Sequence, residues 1–155
     1  MNRYDDVTQE ENDLLREIRA EYCPELRNAN IKMLFDLKKR QYDGKIVLGR
    51  IQKANDLVKY FTQNEEDEAG VDYIIFLDKI CWDAIQRSDK IKLLRHELRH
   101  AFFDADSEKT PYKLLPHDIE DFAEEVHLNQ DDVSWRLRVA ELTAAIYDQK
   151  ADEGE

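Results

Sequence analysis

Apolar positions change their period along the chain, and each change predicts an element. Over residues 6–22, Val7, Leu14, Leu15, Ile18 and Tyr22 fall at roughly helical spacing, and Pro24 closes the run, which predicts a first helix. The period then becomes two. Ile31, Met33, Phe35 and Leu37 alternate with mainly polar neighbours, the pattern of a half-buried strand. Turn chemistry at Tyr42-Asp43-Gly44 precedes a second strand over 45–51, so an antiparallel hairpin is expected, with Gly49 marking a bulge or a close backbone approach. After an acidic loop at 64–70, the run Tyr73-Ile74-Ile75-Phe76-Leu77 is apolar without interruption and predicts a strand buried on both faces.

From Lys79 the spacing is helical again. Ile80, Trp82 and Ile85, then Ile91, Leu94, Leu98, Ala101 and Phe102, predict a helix, a break and a second helix capped by Ser88 or Asp89. Residues 106–116 carry two prolines and predict a loop. Asp118 can cap a further helix with the stripe Ile119, Phe122, Ala123 and Val126. A last helix over about 132–148 is expected to bury Trp135, Val139, Leu142 and Ile146, and residues 151–155 form a frayed, disordered tail. No internal repeat is present. The pattern describes one α+β domain over residues 1–150.

Composition agrees with a folded chain. Of 155 residues, 42% are hydrophobic and 37% charged, enough of the former for a core without staples. The two cysteines, Cys23 and Cys81, lack metal-ligand spacing and suit a reducing cytoplasm. The N-terminus is acidic at once, so no secretory signal is expected, and no run is long enough to span a bilayer. A net charge of -12 opposes general affinity for nucleic acid. Residues 26–60 run against this balance, with nine Lys/Arg and three Asp/Glu. They leave nucleic acid as a minor candidate partner beside a protein or peptide.

The chemistry sits in His96-Glu97-Leu98-Arg99-His100, an HExxH motif near the end of the second predicted helix. Two imidazoles four residues apart share a helical face and can bind one Zn²⁺. Glu97 lies beside that face, where it can take a proton from water that the ion has acidified. Arg95 and Arg99 should point away from the ion, towards solvent or a neighbouring acidic helix. A catalytic zinc wants a third protein ligand and one open position. Asp104 lies eight residues past His96, ~12 Å along a helix axis, too far to share the ion. His117 is the better candidate, since a loop precedes it that can fold the chain back over the site; Glu120 and Glu124 are the alternatives.

With these residues in view, the stretch from Ile74 to Phe122 resembles the SprT-like zincins, and within them the metallopeptidases encoded by phages and prophages. The likeness rests on the strand Tyr73 to Leu77, the Trp82 helix, His96-Glu97-Leu98-Arg99-His100-Ala101-Phe102, and Pro116-His117-Asp118-Ile119-Glu120-Asp121-Phe122. In that family a later motif of the form His-Gly-x-x-Phe supplies the third histidine; here His117 takes its place, followed by Asp118 instead of glycine and by Phe122 one residue late. The resemblance implies a zincin-like domain, a small mostly antiparallel sheet packed against helices that include the HExxH helix. It also implies a zinc-dependent peptidase of the cytoplasm, that of the bacterial host if the chain is phage-encoded. The four cysteines of a zinc ribbon are absent, so the DNA-crosslink substrates of the eukaryotic relatives do not carry over.

On this reading His96, His100 and His117 hold Zn²⁺, Asp118 and Asp121 are candidates to orient the histidines, and Glu97 is the general base. Tyr112, His127 and Tyr147 are candidate donors to the developing oxyanion. An exposed sheet edge would bind the substrate backbone as an added strand. Two readings from other classes remain: a zinc-stabilised binding module without turnover, and an acidic interaction protein of the DNA-mimic kind.

Overall fold

The helices Gln9–Tyr22 and Arg87–Leu98 and the strands Ile31–Asp36 and Tyr73–Asp78 lie where the hydrophobic period places them. In the computed structural model, which describes residues 2–108, 110–115, 125, 128–132 and 134–153, the chain runs β1 (Tyr4–Asp6), α1 (Gln9–Tyr22), a 3-10 turn (Pro24–Leu26), β2 (Ile31–Asp36), β3 (Gln41–Tyr42), β4 (Lys45–Ile46), β5 (Gly49–Lys53), α2 (Asp56–Thr62), β6 (Tyr73–Asp78), α3 (Lys79–Ala84), α4 (Arg87–Leu98), β7 (Ala101–Phe103), β8 (Tyr112–Leu114) and α5 (Trp135–Glu153). The architecture is the expected α+β, zincin-like domain.

The main sheet has the order β1-β2-β6-β5. Its second strand pairs parallel with β6, and the other two pairings, β1 with β2 and β5 with β6, are antiparallel. Every residue of β6 is buried, as its unbroken apolar run requires, and that decides its inner position. The expected hairpin between 31–37 and 45–51 is therefore corrected. β2 and β5 each carry polar residues along their length and so flank β6 instead of pairing with each other, while the Asp43-Gly44 turn closes only the short β3–β4 ribbon. Both turn residues have positive φ, 52° at Asp43 and 76° at Gly44.

Side chains alternate across the sheet. Met33, Phe35, Tyr73, Ile75 and Leu77 face the larger core, where they meet Leu14, Leu15 and Ile18 of α1, Trp82 of α3, Leu93, Leu94 and Leu98 of α4, and Trp135 and Val139 of α5. Ile74 and Phe76 point the other way, into a smaller cluster with Ala54, Val71, Leu34 and Val58 of α2. The basic stretch 26–60 is partly neutralised within the fold. Lys32 lies 3.4 Å from Asp6, Arg40 3.5 Å from Asp36 and Lys59 3.9 Å from Asp72.

Three further expectations move. α4 is preceded by Gln86 as its N-cap, not Ser88 or Asp89; Asp89 lies inside the first turn, where its buried carboxylate takes both terminal nitrogens of Arg138 at 3.0 and 2.8 Å. The helix also stops at Leu98, and Ala101 and Phe102 enter β7. A short apolar run fits either period, and the remote partner β8 decides it: Ala101 pairs with Leu114, Phe102 with Lys113 and Phe103 with Tyr112. On α5 the buried stripe is Trp135, Val139 and Thr143, spaced by four, which turns Leu142 out to 40% exposure. This helix continues to Glu153, so residues 151–153 of the expected tail are helical. Among the described residues, no helix is long and apolar enough to cross a membrane.

The β7–β8 hairpin is tied to the main sheet by one side chain. Tyr73, fully buried at the start of β6, donates its hydroxyl to the Lys113 carbonyl at 2.8 Å and lies 3.3 Å from that of Phe102, and burial pushes its ionisation well above the usual phenol range. Tyr73→Phe leaves that carbonyl without its donor and is expected to cost about 1–2 kcal/mol. Urea denaturation measures the loss, and faster amide exchange confined to 101–103 and 112–115 would locate it.

Candidate metal centre and active-site cleft

Helix α4 is buried on two opposite sides, and its sequence supplies a different surface for each. Leu93, Leu94 and Leu98 enter the apolar core. Asp89, Lys92, Arg95 and Arg99, spaced by three and four, face Glu125, Asn129, Asp131 and Arg138 and are paired one by one. Besides the Arg138–Asp89 fork, Lys92 Nζ meets Asp131 at 3.1 Å and Arg95 donates to Glu125 Oε1 at 2.7 Å and to Asn129 at 2.5 Å. Arg99 Nε donates to the other Glu125 oxygen at 3.1 Å. Glu125 is fully buried, and each of its carboxylate oxygens meets one of these two arginines.

Between the two surfaces lies the C-terminal end of α4, with His96 and Glu97 in its last turn and His100 two residues past its end. They line a cleft of about 410 Å³ together with Gly49, Arg50 and Ile51 of β5, Leu114 and Leu115 of the hairpin, and Arg136. The helix ends here by tightening: His100 N–H donates to the Glu97 carbonyl at 3.1 Å, one residue short of the α-helical partner. A helix C-terminus bears partial negative charge, an electrostatic setting that favours a cation beside these residues.

The two imidazoles lie 5.5 Å apart between ring centroids, at an interplanar angle of 79°. With metal–nitrogen bonds of about 2.0–2.1 Å, two histidines on one tetrahedral ion would place their centroids roughly 5 Å apart, so this spacing suits a shared ion. His100 is oriented by backbone. Its Nδ1 stands 2.7 Å from the Leu115 carbonyl, while Leu115 N–H donates to the His100 carbonyl at 2.7 Å. A carbonyl can only accept, so Nδ1 carries the hydrogen and a neutral ring keeps its lone pair on Nε2.

His96 is 1% exposed and meets a side chain from α5. Arg136 Nη1 is 3.0 Å from both of its ring nitrogens. An in-plane point at that distance from both would collide with the carbon between them. The guanidinium therefore lies on the imidazole face, a cation resting against His96 out of the ring plane.

Glu97, 3% exposed, is set against β5. A Cβ at Gly49 would fall 3.3 Å from the Phe76 carbonyl, a tight contact with the neighbouring strand, and 3.4 Å from Leu93 and 3.6 Å from Glu97, which puts this position directly beside the motif. The other side of β5 is the edge of the sheet. Asp78 N–H donates to Leu48 and Ala54 N–H to Asp72, both at 2.9 Å, which fixes the ladder's alternation: Arg50 and Gln52 turn their backbone groups to β6, and Gly49, Ile51 and Lys53 turn theirs outward along the cleft.

The profile of a protein family described as "Putative phage metallopeptidase" matches residues 3–147. The chain belongs to this family. No curated protein and no solved structure matched it.

Within this phage metallopeptidase-family fold, the residues expected from sequence divide into three groups. His96, Glu97 and His100 are brought together. His117, Glu120 and Glu124, the candidates for the third ligand, lie outside the described residues, as do Asp118, Asp121, His127 and the helix expected after Asp118. Among the described residues, no three His, Cys, Asp or Glu side chains form a group that could hold one ion. The remaining candidates are engaged elsewhere. Tyr147 donates to Asp78 at 2.5 Å, Tyr112 stacks with Tyr73 and Phe103, and Asp104 pairs with Lys113 at 2.6 Å, which holds its carboxyl below the usual range. Burial pushes the Cys81 thiol up to about 12, so it is an inert core group.

Arg95 and Arg99 do meet an acidic neighbour, Glu125. Sequence reasoning missed Glu125 and Arg136, one amid a run of acidic residues and the other on a helix read only for its apolar stripe. Truncating Glu125 to alanine strands two arginines in the interior and is expected to cost about 3–5 kcal/mol. Chemical denaturation tests this, and a loss under 1 kcal/mol would show that the arginines do not depend on Glu125.

Proposed function

We propose that this protein is a zinc peptidase that hydrolyses peptide bonds, with His96, His100 and His117 holding the ion and Glu97 serving as general base. The observation that carries the reading is the orientation of His100: its Nδ1 hydrogen is directed at the Leu115 carbonyl, which leaves the ring's lone pair on Nε2, the nitrogen a metal would take, in a cleft also lined by His96 and Glu97. Family membership supports metal-dependent peptide hydrolysis at the coarser level. Zinc is the ion that best suits imidazole ligands in a hydrolytic site.

His117 is favoured as third ligand by its tether. It follows Leu115 by two residues, at most about 7 Å of extended chain, and Leu115 is bonded to His100. Glu120 and Glu124 are the alternatives. Bound zinc would polarise the scissile carbonyl and acidify the attacking water. Glu97 accepts that water's proton and returns it to the departing amine. The outward backbone groups of Gly49, Ile51 and Lys53 would pair with the substrate as an added strand, which recognises an extended backbone more than a side-chain code. Cytoplasmic action fits the two buried free thiols, Cys23 and Cys81.

Elemental analysis of the purified protein, paired with release of fluorescein from labelled casein, tests the assignment. One zinc per chain is expected in the wild type and in Glu97→Gln, with hydrolysis reduced about 10²–10⁴-fold in the latter. His100→Ala and His117→Ala should lose the metal. Full zinc in His117→Ala would transfer the third position to Glu120 or Glu124. Zinc without hydrolysis in the wild type would favour the zinc-stabilised binding module, and no zinc at all would end the proposal.

A further inference from the structure

Hydrolysis at this cleft needs a donor for the negative charge that develops on the scissile carbonyl oxygen, and two of the candidates suggested by sequence are used otherwise. The Tyr147 hydroxyl is held by Asp78, and Tyr112 is stacked between Tyr73 and Phe103 and does not line the cleft. Arg136 does line it. Its Nη1 lies 3.0 Å from each nitrogen of His96, and its guanidinium carries several N–H donors in a fixed plane. Arg136 is the second residue of the 19-residue α5, so it belongs to the first turn, the partially positive end of that helix.

Building on the zinc-peptidase reading above, we propose that Arg136 is a catalytic residue, coupled to metal loading, that donates hydrogen bonds to the carbonyl oxygen under attack. The contact with His96 is what couples it. A dication held by His96 would lie close to the guanidinium that rests against the same ring, and the two would repel. Loading the site would therefore favour Arg136 leaving the imidazole for the cleft, where an oxygen gaining negative charge is its complement. Without an ion, the arginine screens His96 and the cleft lacks its donor.

Arg136 exchanges no proton in the reaction. The water oxygen bonds to the carbonyl carbon as the carbonyl π pair moves to oxygen, and Arg136 N–H groups bind that oxygen. Glu97 receives the water proton and passes it to the amide nitrogen as the C–N bond breaks and the carbonyl re-forms, giving one carboxylic acid and one amine.

The coupling predicts effects of opposite sign from one substitution. In Arg136→Gln, zinc affinity of the metal-free protein, measured by competition with a chromophoric chelator, should rise about three- to tenfold because a cation beside His96 is gone. Casein hydrolysis by the zinc-loaded variant should fall about 10²–10³-fold in kcat, with KM within about threefold. Arg136→Lys should recover part of both effects. Calorimetric binding of a peptide phosphonate, whose oxygens carry the charge of the tetrahedral state, should weaken at least tenfold in the zinc-loaded Gln variant relative to wild type. Thermal melts of both variants identify any loss of folding, in which case the Lys variant alone decides. Unchanged zinc affinity, or kcat and phosphonate binding within threefold of wild type, overturns the proposal. Should the wild type bind zinc but hydrolyse nothing, the peptidase reading fails, while zinc affinity and phosphonate binding still decide the place of Arg136.

Discussion

Everything near the candidate site depends on one constraint: α4 is buried on both sides while carrying charge along one of them. Unpaired ions in a protein interior cost several kcal/mol each, so such a helix is tolerated only if each charge has a partner at bonding distance. Asp89, Lys92, Arg95 and Arg99 meet this condition through Arg138, Asp131, Glu125 and Asn129. Apolar packing alone would hold the helix against the sheet, but it is non-directional and would tolerate rotation about the axis. Salt bridges at four points along the opposite face define that rotation, and with it the direction in which His96 and Glu97 project. The charged residues between and before the histidines are thus part of how the motif is aimed.

Three separate pieces of backbone then meet at the end of this helix. β5 passes beside Glu97 at Gly49, the hairpin is anchored through Tyr73, and Leu115 clamps His100 by two reciprocal bonds. Each brings a different property: an open sheet edge, a mechanical anchor and a defined tautomer. The result is a cleft in which a glutamate, two imidazoles and an arginine line one space at the partially negative end of a helix. Preorganisation of this sort matters for hydrolysis, because groups already in place do not have to be reoriented when charge develops.

Much of this was legible before any fold was known. Two histidines four apart with a glutamate between them are a local pattern, and local periodicity carries it intact into the structure; the same holds for α1 with its Pro24 stop and for the doubly buried β6. What misled was non-local. The 101–103 run became a strand because 112–114 lay within pairing distance, and 31–37 failed to join 45–51 because a more apolar strand took the place between them. Leu142 turned outward because α5 set its stripe by Trp135, Val139 and Thr143.

The sequence by itself determined the kinds of surface each segment would present and the chemistry it would carry, since side-chain spacing along a helix or strand follows from backbone geometry. Only the tertiary structure decided which surfaces would meet. Glu125 between two arginines, Leu115 on His100 and Arg136 on the face of His96 join residues 15 to 40 positions apart. The free energy of such contacts depends on mutual burial and on the exclusion of water, and these arise only once the chain has closed on itself.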